Sequence, residues 1–408
     1  MTALEEPVTR AGVRRALAPS ERIHAVKEAY IGYTVRATGR LDPEALTTAF
    51  EAVYRAYPHL AARVEAGEDG VVLTESDSRP EIRFADGDPG RPLDGLDLDQ
   101  SRALSALNVV RDGDEASVCL ALQHSVGDAH HATAILSTLW SCYTDIVEGV
   151  SFDLPRQPYP RSLEDLLAER GIHADGPPPA GPPPAVSPAD PVVRHVVQHR
   201  LSEAETAALA DLGHREKVTI NGLVSGAILL AEAELRDMPL TDLVYRYSVN
   251  LRSRLTPPVG ATEGTNVLGG VGFKVSDGMA PDAVVIGRAI GDQLRAGLAD
   301  GSVQRSILDM FSRPAAAKPW DPKLALAVVS IMNWGVAPPM RTPAGLRLTN
   351  LHSASRMRET LALGGYVMST FGGRVGIDLV WPEGDPSLPD RVACVRERVN
   401  HVLRNELP

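Results

Sequence analysis

Cysteine is scarce in this 408-residue chain: Cys119, Cys142 and Cys394 are odd in number and widely spaced. They fit neither a disulfide framework nor paired metal-ligand spacing, and are expected to be reduced thiols in a cytoplasmic protein. Long apolar runs are missing too. The most hydrophobic stretches, such as LALAVVSIM at 324–332, fall well short of the roughly 20 residues that cross a bilayer. The N-terminal MTALEEPVTRAGVRRALAPSERIHAV mixes charges throughout and builds no apolar secretory core, so neither export nor membrane spanning is expected. Positive charge is in deficit, with 41 Lys and Arg against 52 Asp and Glu, a formal net charge of -11. That field repels a phosphate backbone, which makes nucleic acid a poor partner.

Several familiar catalytic signatures are absent as well. There is no G-x-S-x-G elbow and no G-x-x-x-x-G-K-[ST] loop, and GGVGFK at 269–274 lacks the third glycine of a dinucleotide-binding turn. Hydrolase, nucleotide hydrolase and dehydrogenase readings lose their main support.

What remains is an ordinary globular composition, 44% apolar and 23% charged, in a chain longer than one core usually serves. Two units are expected. ADGPPPAGPPPAVSPADP at 174–191 cannot form a helix, because proline removes donors and clashes with the preceding turn, and it reads as a semi-rigid spacer. The expected organisation is an N-terminal lobe over 1–175, a proline-rich linker over 176–192 and a C-terminal lobe over 193–408. Both lobes mix the two element types. IGYTVRATG (31–39) and ASVCLALQH (116–124) read as strands, and Asp42-Pro43 starts a helix whose Leu46, Phe50, Val53, Tyr54 and Tyr57 share one face. Ser202 and Glu205 form a capping box, and ILLAEAEL (228–235) belongs to a further helix. VYRYSVNL (244–251), LALAVVSIM, LALGGYVMST (361–370) and VGIDLVW (375–381) read as strands, the last two enclosing a turn at Gly372-Gly373.

One stretch concentrates chemistry. LQHSVGDAHHA at 121–131 carries three of the eleven histidines and an aspartate, between a strand end and a helix start. Rigid scaffolds present catalytic groups at such junctions. His124 emerges as the strand ends, where a neutral imidazole accepts a proton near neutral pH. Asp128 either orients His124 directly or turns away to hold the loop through a basic partner, and the sequence alone leaves both readings open. The spacing of His124, His130 and His131 matches no standard metal set, so no metal is expected. His130 and His131 read as exposed or partly buried polar positions on the first helical turn.

These residues resemble the HHxxxDG acyltransferases, which include chloramphenicol acetyltransferase and peptide-synthetase condensation domains. QHSVGDA at 123–129 matches in His124 and Asp128 and departs at Gln123 and Ala129. The likeness is greatest to the phthiocerol dimycocerosyl transferase branch. It extends to the histidine pair after the motif, a LAERGI segment at 167–172, VNLRSRLTPPVGATEGTNVLGG at 249–270 and MRTPAGL at 340–346, in the same order along nearly the whole chain.

The resemblance implies an α/β (α+β) fold of two chloramphenicol-acetyltransferase-like lobes, each a mixed sheet with flanking helices, and an active-site channel between them. It implies that His124 is the general base and that Asp128 is a structural carboxylate paired with Arg252. Asn266, Asn333, Trp334 and Arg341 are expected along the channel or at the lobe contact. The implied activity is O-acyl transfer to a polyketide or lipid alcohol, without a permanently bound cofactor. The donor would be a thioester of coenzyme A (acyl-CoA) or of an acyl carrier protein. Amide formation and an inactive recruiting module of the same fold are the alternatives. Arg341, Arg347, Arg356 and Arg358 lie in a stretch without acidic residues, the expected docking patch for an acidic carrier protein or for coenzyme A phosphates.

Overall fold

The computed structural model describes residues 14–67, 70–176, 187–312, 326–359 and 363–404. The first half contributes β1 (Arg14–Ala16), α1 (Pro19–Ala25), β2 (Tyr30–Gly39), α2 (Pro43–Ala56), β3 (Arg63–Gly67), β4 (Gly70–Thr74), β5 (Glu81–Asp86), β6 (Ser105–Asp112), β7 (Glu115–Gln123), α3 (Ala129–Val147) and α4 (Leu163–Ala168). The second half adds β8 (Pro191–Arg200), α5 (Glu203–Glu216), α6 (Ile220–Leu235), β9 (Val244–Asn250), β10 (Leu268–Phe273), α7 (Ala283–Ala299) and α8 (Ser302–Ser312). It ends with β11 (Val328–Val336), β12 (Leu346–Arg358), β13 (Gly365–Phe371), β14 (Arg374–Pro382) and α9 (Leu388–Arg404).

Local chemistry accounts for several of these boundaries. Asp42 Oδ1 accepts from the amides of Glu44 and Ala45, and Pro43 opens α2 where no amide donor is needed. Leu46, Phe50, Val53 and Tyr54 of that helix are buried on the face that periodicity marked out. Ser202 and Glu205 exchange the reciprocal bonds of a capping box at the start of α5. Gly372 and Gly373 both take positive φ in the β13–β14 turn, the conformation a tight hairpin demands. Two expected strands begin later than their apolar runs do. β11 opens at Val328 and continues to Val336, taking in Asn333 and Trp334, while β13 opens at Gly365. Residues 324–325 and 361–362 of those runs lie outside the described residues, as does most of the proline-rich stretch, 177–186.

Eleven strands form one mixed sheet in the order β10-β9-β11-β13-β14-β8-β12-β2-β7-β6-β5, and β1-β4-β3 forms a small antiparallel sheet. Two large apolar cores divide the molecule. One joins α2 and α3 to β2, β6 and β7, and the other joins α5, α6, α7 and α9 to β9, β11, β13 and β14. The division does not follow the chain, because β12 comes from the second half yet pairs antiparallel with β2 of the first along most of its length. β8 then bridges β12 and β14, which makes the sheets of the two lobes continuous.

The register shows what this continuity does. Ile31 lies opposite Ser355, Ser355 opposite Arg194, and, one pair further along β8, Val196 opposite Val380, itself opposite Gly365. Paired residues share a face of a sheet. In the first lobe that face carries α2 and α3, since Tyr33 and Leu122 belong to their core. In the second lobe the helices cover the other face, where Val329, Ile331, Tyr366 and Ile377 are buried. The helices thus change sides at the lobe junction, and the second lobe's open face is left facing the N-terminus of α3.

Candidate active site

A cavity of about 890 Å³ occupies that junction. Its walls are Ile31 and Tyr33 of β2, Ala129 and His130 at the start of α3, Ser353 to Ser355 of β12, and the open sheet face of the second lobe. His124 and Asp128 reach it from the loop between β7 and α3, and Asn333 and Trp334 reach it from β11, where the Trp334 ring lies 4.8 Å from that of Tyr33.

His124 is half-buried and held from both sides of its backbone: its amide donates to Ala29 O at 2.7 Å, and its carbonyl accepts from Asn266 Nδ2 at 2.7 Å. In the side chain, Nδ1 lies 3.1 Å from Gly127 O. A carbonyl oxygen can only accept, so Nδ1 carries the hydrogen and Nε2 of the neutral ring keeps its lone pair. Burial pushes the imidazole below its ordinary pKa, and the Gly127 carbonyl and the Asp128 charge offset that only in part. The ring is therefore neutral at pH 7 and able to take a proton. His24, from the last turn of α1, packs its own ring against it at 4.0 Å and is also held neutral, by burial first and by the neighbouring His124 and Lys27.

Asp128 resolves the choice the sequence left open: it turns away from the His124 ring. One carboxylate oxygen accepts from the His131 amide at 3.0 Å, capping α3. The other accepts from Arg252 Nη1 at 2.7 Å and from the Val267 amide at 2.9 Å. Burial alone would raise this acid, but the Arg252 charge and these donors outweigh burial and hold it below the ordinary carboxylate range. Arg252 is itself buried and spends its other donors on Ala261 O, Gly264 O and Asn250 Oδ1.

The segment between β9 and β10 thus wraps the N-terminus of α3. Besides Arg252, Gly264 O receives the Nδ1 hydrogen of His131, Thr265 O receives the Asp128 amide, and Asn266 anchors the His124 carbonyl. The stretch 249–270 and the motif 123–129, more than a hundred residues apart in the chain, make one unit.

The motif's departures have physical roles here. Gln123 is fully buried, its Nε2 donating to Gln100 Oε1 and its Oε1 accepting from the Ser125 amide. Ala129 opens α3, where a helical backbone accepts alanine more readily than glycine.

Four expectations need correction. His131 is not a surface position: it is fully buried, and its Nε2 meets His59 Nε2 at 3.0 Å. Asn266 does not line the cavity but donates from its side chain to the His124 carbonyl. Arg341 stays outside the cavity because Asp145 and Glu148, near the end of α3, hold its guanidinium there. Nor do the four arginines make one patch. Arg347 and Arg356 are nine residues apart on β12, roughly 30 Å in extended chain. Arg356 donates to Leu98 O, and Arg358 is paired with Glu28.

His24, His59, Lys27 and Arg194 carry no motif and were missed. The pairing of Tyr30 with Gln123 brings the residues before β2 beside His124.

Among the described residues no group of three His, Cys, Asp or Glu converges in a way that would hold a metal ion, and no single helix is long and apolar enough to cross a membrane. Burial raises all three thiols, that of Cys119 to about 12, so none is an activated nucleophile.

This architecture is shared with solved two-lobed enzymes. The first condensation domain of the CDA synthetase matches at a TM-score of 0.67 with 15% identity, covering 98% of each chain, which fixes the fold. Polyketide synthase associated protein 5 from Mycobacterium tuberculosis matches at 0.80 with 30% identity, over 96% of this chain and 99% of that one. Residues 190–380 match the family described as phthiocerol/phthiodiolone dimycocerosyl transferase C-terminus. The phthiocerol/phthiodiolone dimycocerosyl transferase of Mycobacterium ulcerans is 32% identical over 386 residues, 90% of this chain and 92% of its own length. The protein is an acyltransferase with the fold of condensation domains. It belongs to the phthiocerol/phthiodiolone dimycocerosyl transferase family.

Proposed function

We propose that this enzyme forms an ester between a thioester-borne acyl group and the hydroxyl of a polyketide or lipid alcohol, with His124 as general base. The observation that carries this reading is the tautomer: the Gly127 carbonyl takes the Nδ1 hydrogen, which leaves Nε2 as the basic atom of a ring that lines the cavity.

As the alcohol oxygen attacks the thioester carbon, its proton passes to Nε2. The tetrahedral intermediate then expels sulfur, the C–S bond breaks, and the imidazolium returns the proton to the leaving thiolate. No acyl-enzyme is needed. A base so placed supplies roughly 10²–10⁴-fold in rate, and fixing both substrates in a largely apolar cavity supplies much of the rest.

The alcohol class follows the printed names of the relatives, and the thioester donor is an acyl-CoA or an acyl carrier protein. Carrier docking does not rest on the 341–358 arginines, since Arg341 and Arg358 are already paired with acids and Arg356 with a carbonyl.

The test is release of free thiol from acyl-CoA and acyl-carrier-protein donors in the presence of a panel of polyketide alcohols. His124→Ala, shown to be folded, is expected to lower kcat by about 10²–10⁴-fold. Transfer at the natural rate by that variant would overturn the role of the base. Preference for amine over alcohol acceptors would move the reading to amide formation.

A further inference from the structure

Where β8 enters the cavity wall, the chemistry is different. Arg194 of β8 lines it and is only 3% exposed. Its Nη2 pairs with Glu359, while its Nε and Nη1 have no hydrogen-bond partner among the described residues. Unpaired donors on a buried guanidinium cost free energy unless something fills them. Lys27, also on the cavity wall, shares the same carboxylate, its Nζ 3.4 Å from Glu359 Oε1. Two cations thus depend on one acid. Arg246 of β9 adds a third cation to the lining. The remaining lining carboxylate, Asp128, is neutralised by Arg252. The cavity of an acidic protein is cationic.

The sheet register sets the separation. Arg194 lies opposite Ser355, Ser355 opposite Ile31, and Ile31 opposite Leu122, two residues before His124. Three strand spacings of about 4.8 Å put the Arg194 backbone roughly 15 Å across the sheet from that of Leu122.

We propose that the Arg194 end of the cavity binds an anionic oxygen group, phosphate or carboxylate, on a substrate whose reacting atoms lie at His124. The inference takes from the acyl-transfer reading only the identity of the chain that joins the two ends. Such a group fills the spare donors of Arg194 and shares the cations with Glu359, and the apolar span between holds the connecting chain. A phosphate would belong to the pantetheine arm of the donor, and a carboxylate to the acyl or acceptor chain.

Calorimetric titration of the full chain with two matched pairs separates these sources: coenzyme A against pantetheine, and octanoate against octanamide. At least one charged probe is expected to bind about ten-fold or more tightly than its neutral partner. Arg194→Gln should remove the preference. Glu359→Gln should widen it, because both cations lose their internal carboxylate, a change that simple loss of structure would not produce.

No preference in either pair, or a preference that survives Arg194→Gln, overturns the site. Should Arg194→Gln fail to fold, Glu359→Gln decides alone, and an unchanged or smaller preference overturns it. His124→Ala must keep the preference. Transfer that proceeds without any anion preference sinks this site and leaves the acyl-transfer reading standing, whereas a preference without transfer does the reverse.

Discussion

At the scale of single residues, the motif is held by groups that never meet a substrate. Gln123 illustrates this, because its amide both gives and takes a hydrogen bond in a dry setting, with Gln100 on one side and the Ser125 amide on the other. Gln123→Ala leaves both partners unsatisfied, and the unfolding free energy is expected to fall by about 1–3 kcal/mol for each orphaned group. Gln123→His should be tolerated far better, since imidazole also carries one donor and one acceptor. Urea unfolding of the two variants checks this, and equal stabilities would show that the bonds to Gln123 carry little weight. His124 was legible from its place between a strand and a helix. The partners of its ring and backbone were not, because Ala29 and Gly127 come to it through backbone carbonyls, which no side-chain pattern encodes, and the Asn266 side chain comes from 142 positions away.

At the scale of elements, α3 is the piece on which the site turns. Its apolar face, with Ile135, Leu136, Leu139, Trp140 and Tyr143 all fully buried, was readable from helical spacing alone. Its N-terminus is more demanding, since a single carboxylate caps the helix, binds Arg252 and accepts the Val267 amide. Asp128→Asn keeps the size but turns one acceptor into a donor aimed at other donors, and leaves Arg252 buried and unpaired. The expected loss is about 3–5 kcal/mol of unfolding free energy together with the rate. Parallel denaturation and turnover measurements check it: a variant that loses turnover at full stability would show that Asp128 acts in the chemistry rather than in the scaffold. The Arg252 assignment was available only through family resemblance, as 124 positions of sequence separate the pair.

At the scale of the whole molecule, the buried histidines govern response to acid. His131 and His352 are lowered to about 4 by burial, and His59 is also pushed well down. Below the ordinary value of 6.5 the unfolded chain takes up protons that these sites refuse in the folded state, so stability falls as pH drops from 6.5 toward 4. Each of the first two removes about 3 kcal/mol over that range. Denaturation at stepped pH should show this slope, and a flat profile would contradict it.

Asp378, buried where β14 meets β8 and β12, works in the opposite sense. Burial raises it to about 6, against which its bonds from Ser353 and Gln198 act only in part. Between its ordinary 3.8 and about 6 the folded chain holds a proton that the unfolded chain releases, so this group costs stability as pH rises. Asp378→Asn should therefore gain on the natural chain between pH 4 and 7. Parallel titrations of unfolding free energy test the sign, and a gap that does not change with pH would refute it.

Local order was the sequence's own to determine. Caps at Asp42, Ser202 and Asp128, the apolar faces of α2 and α3, the Gly372-Gly373 turn and the place of His124 at the end of β7 all depend on neighbours within a few positions, where backbone sterics and hydrogen-bond geometry act. Tertiary structure alone decided that β12 would return to pair with β2, that the helices would change sides of the sheet, and that Arg194 would lie in the same cavity as His124. Those outcomes rest on strand partners chosen across hundreds of residues, and alternation along a strand says which face is apolar without saying what will cover it.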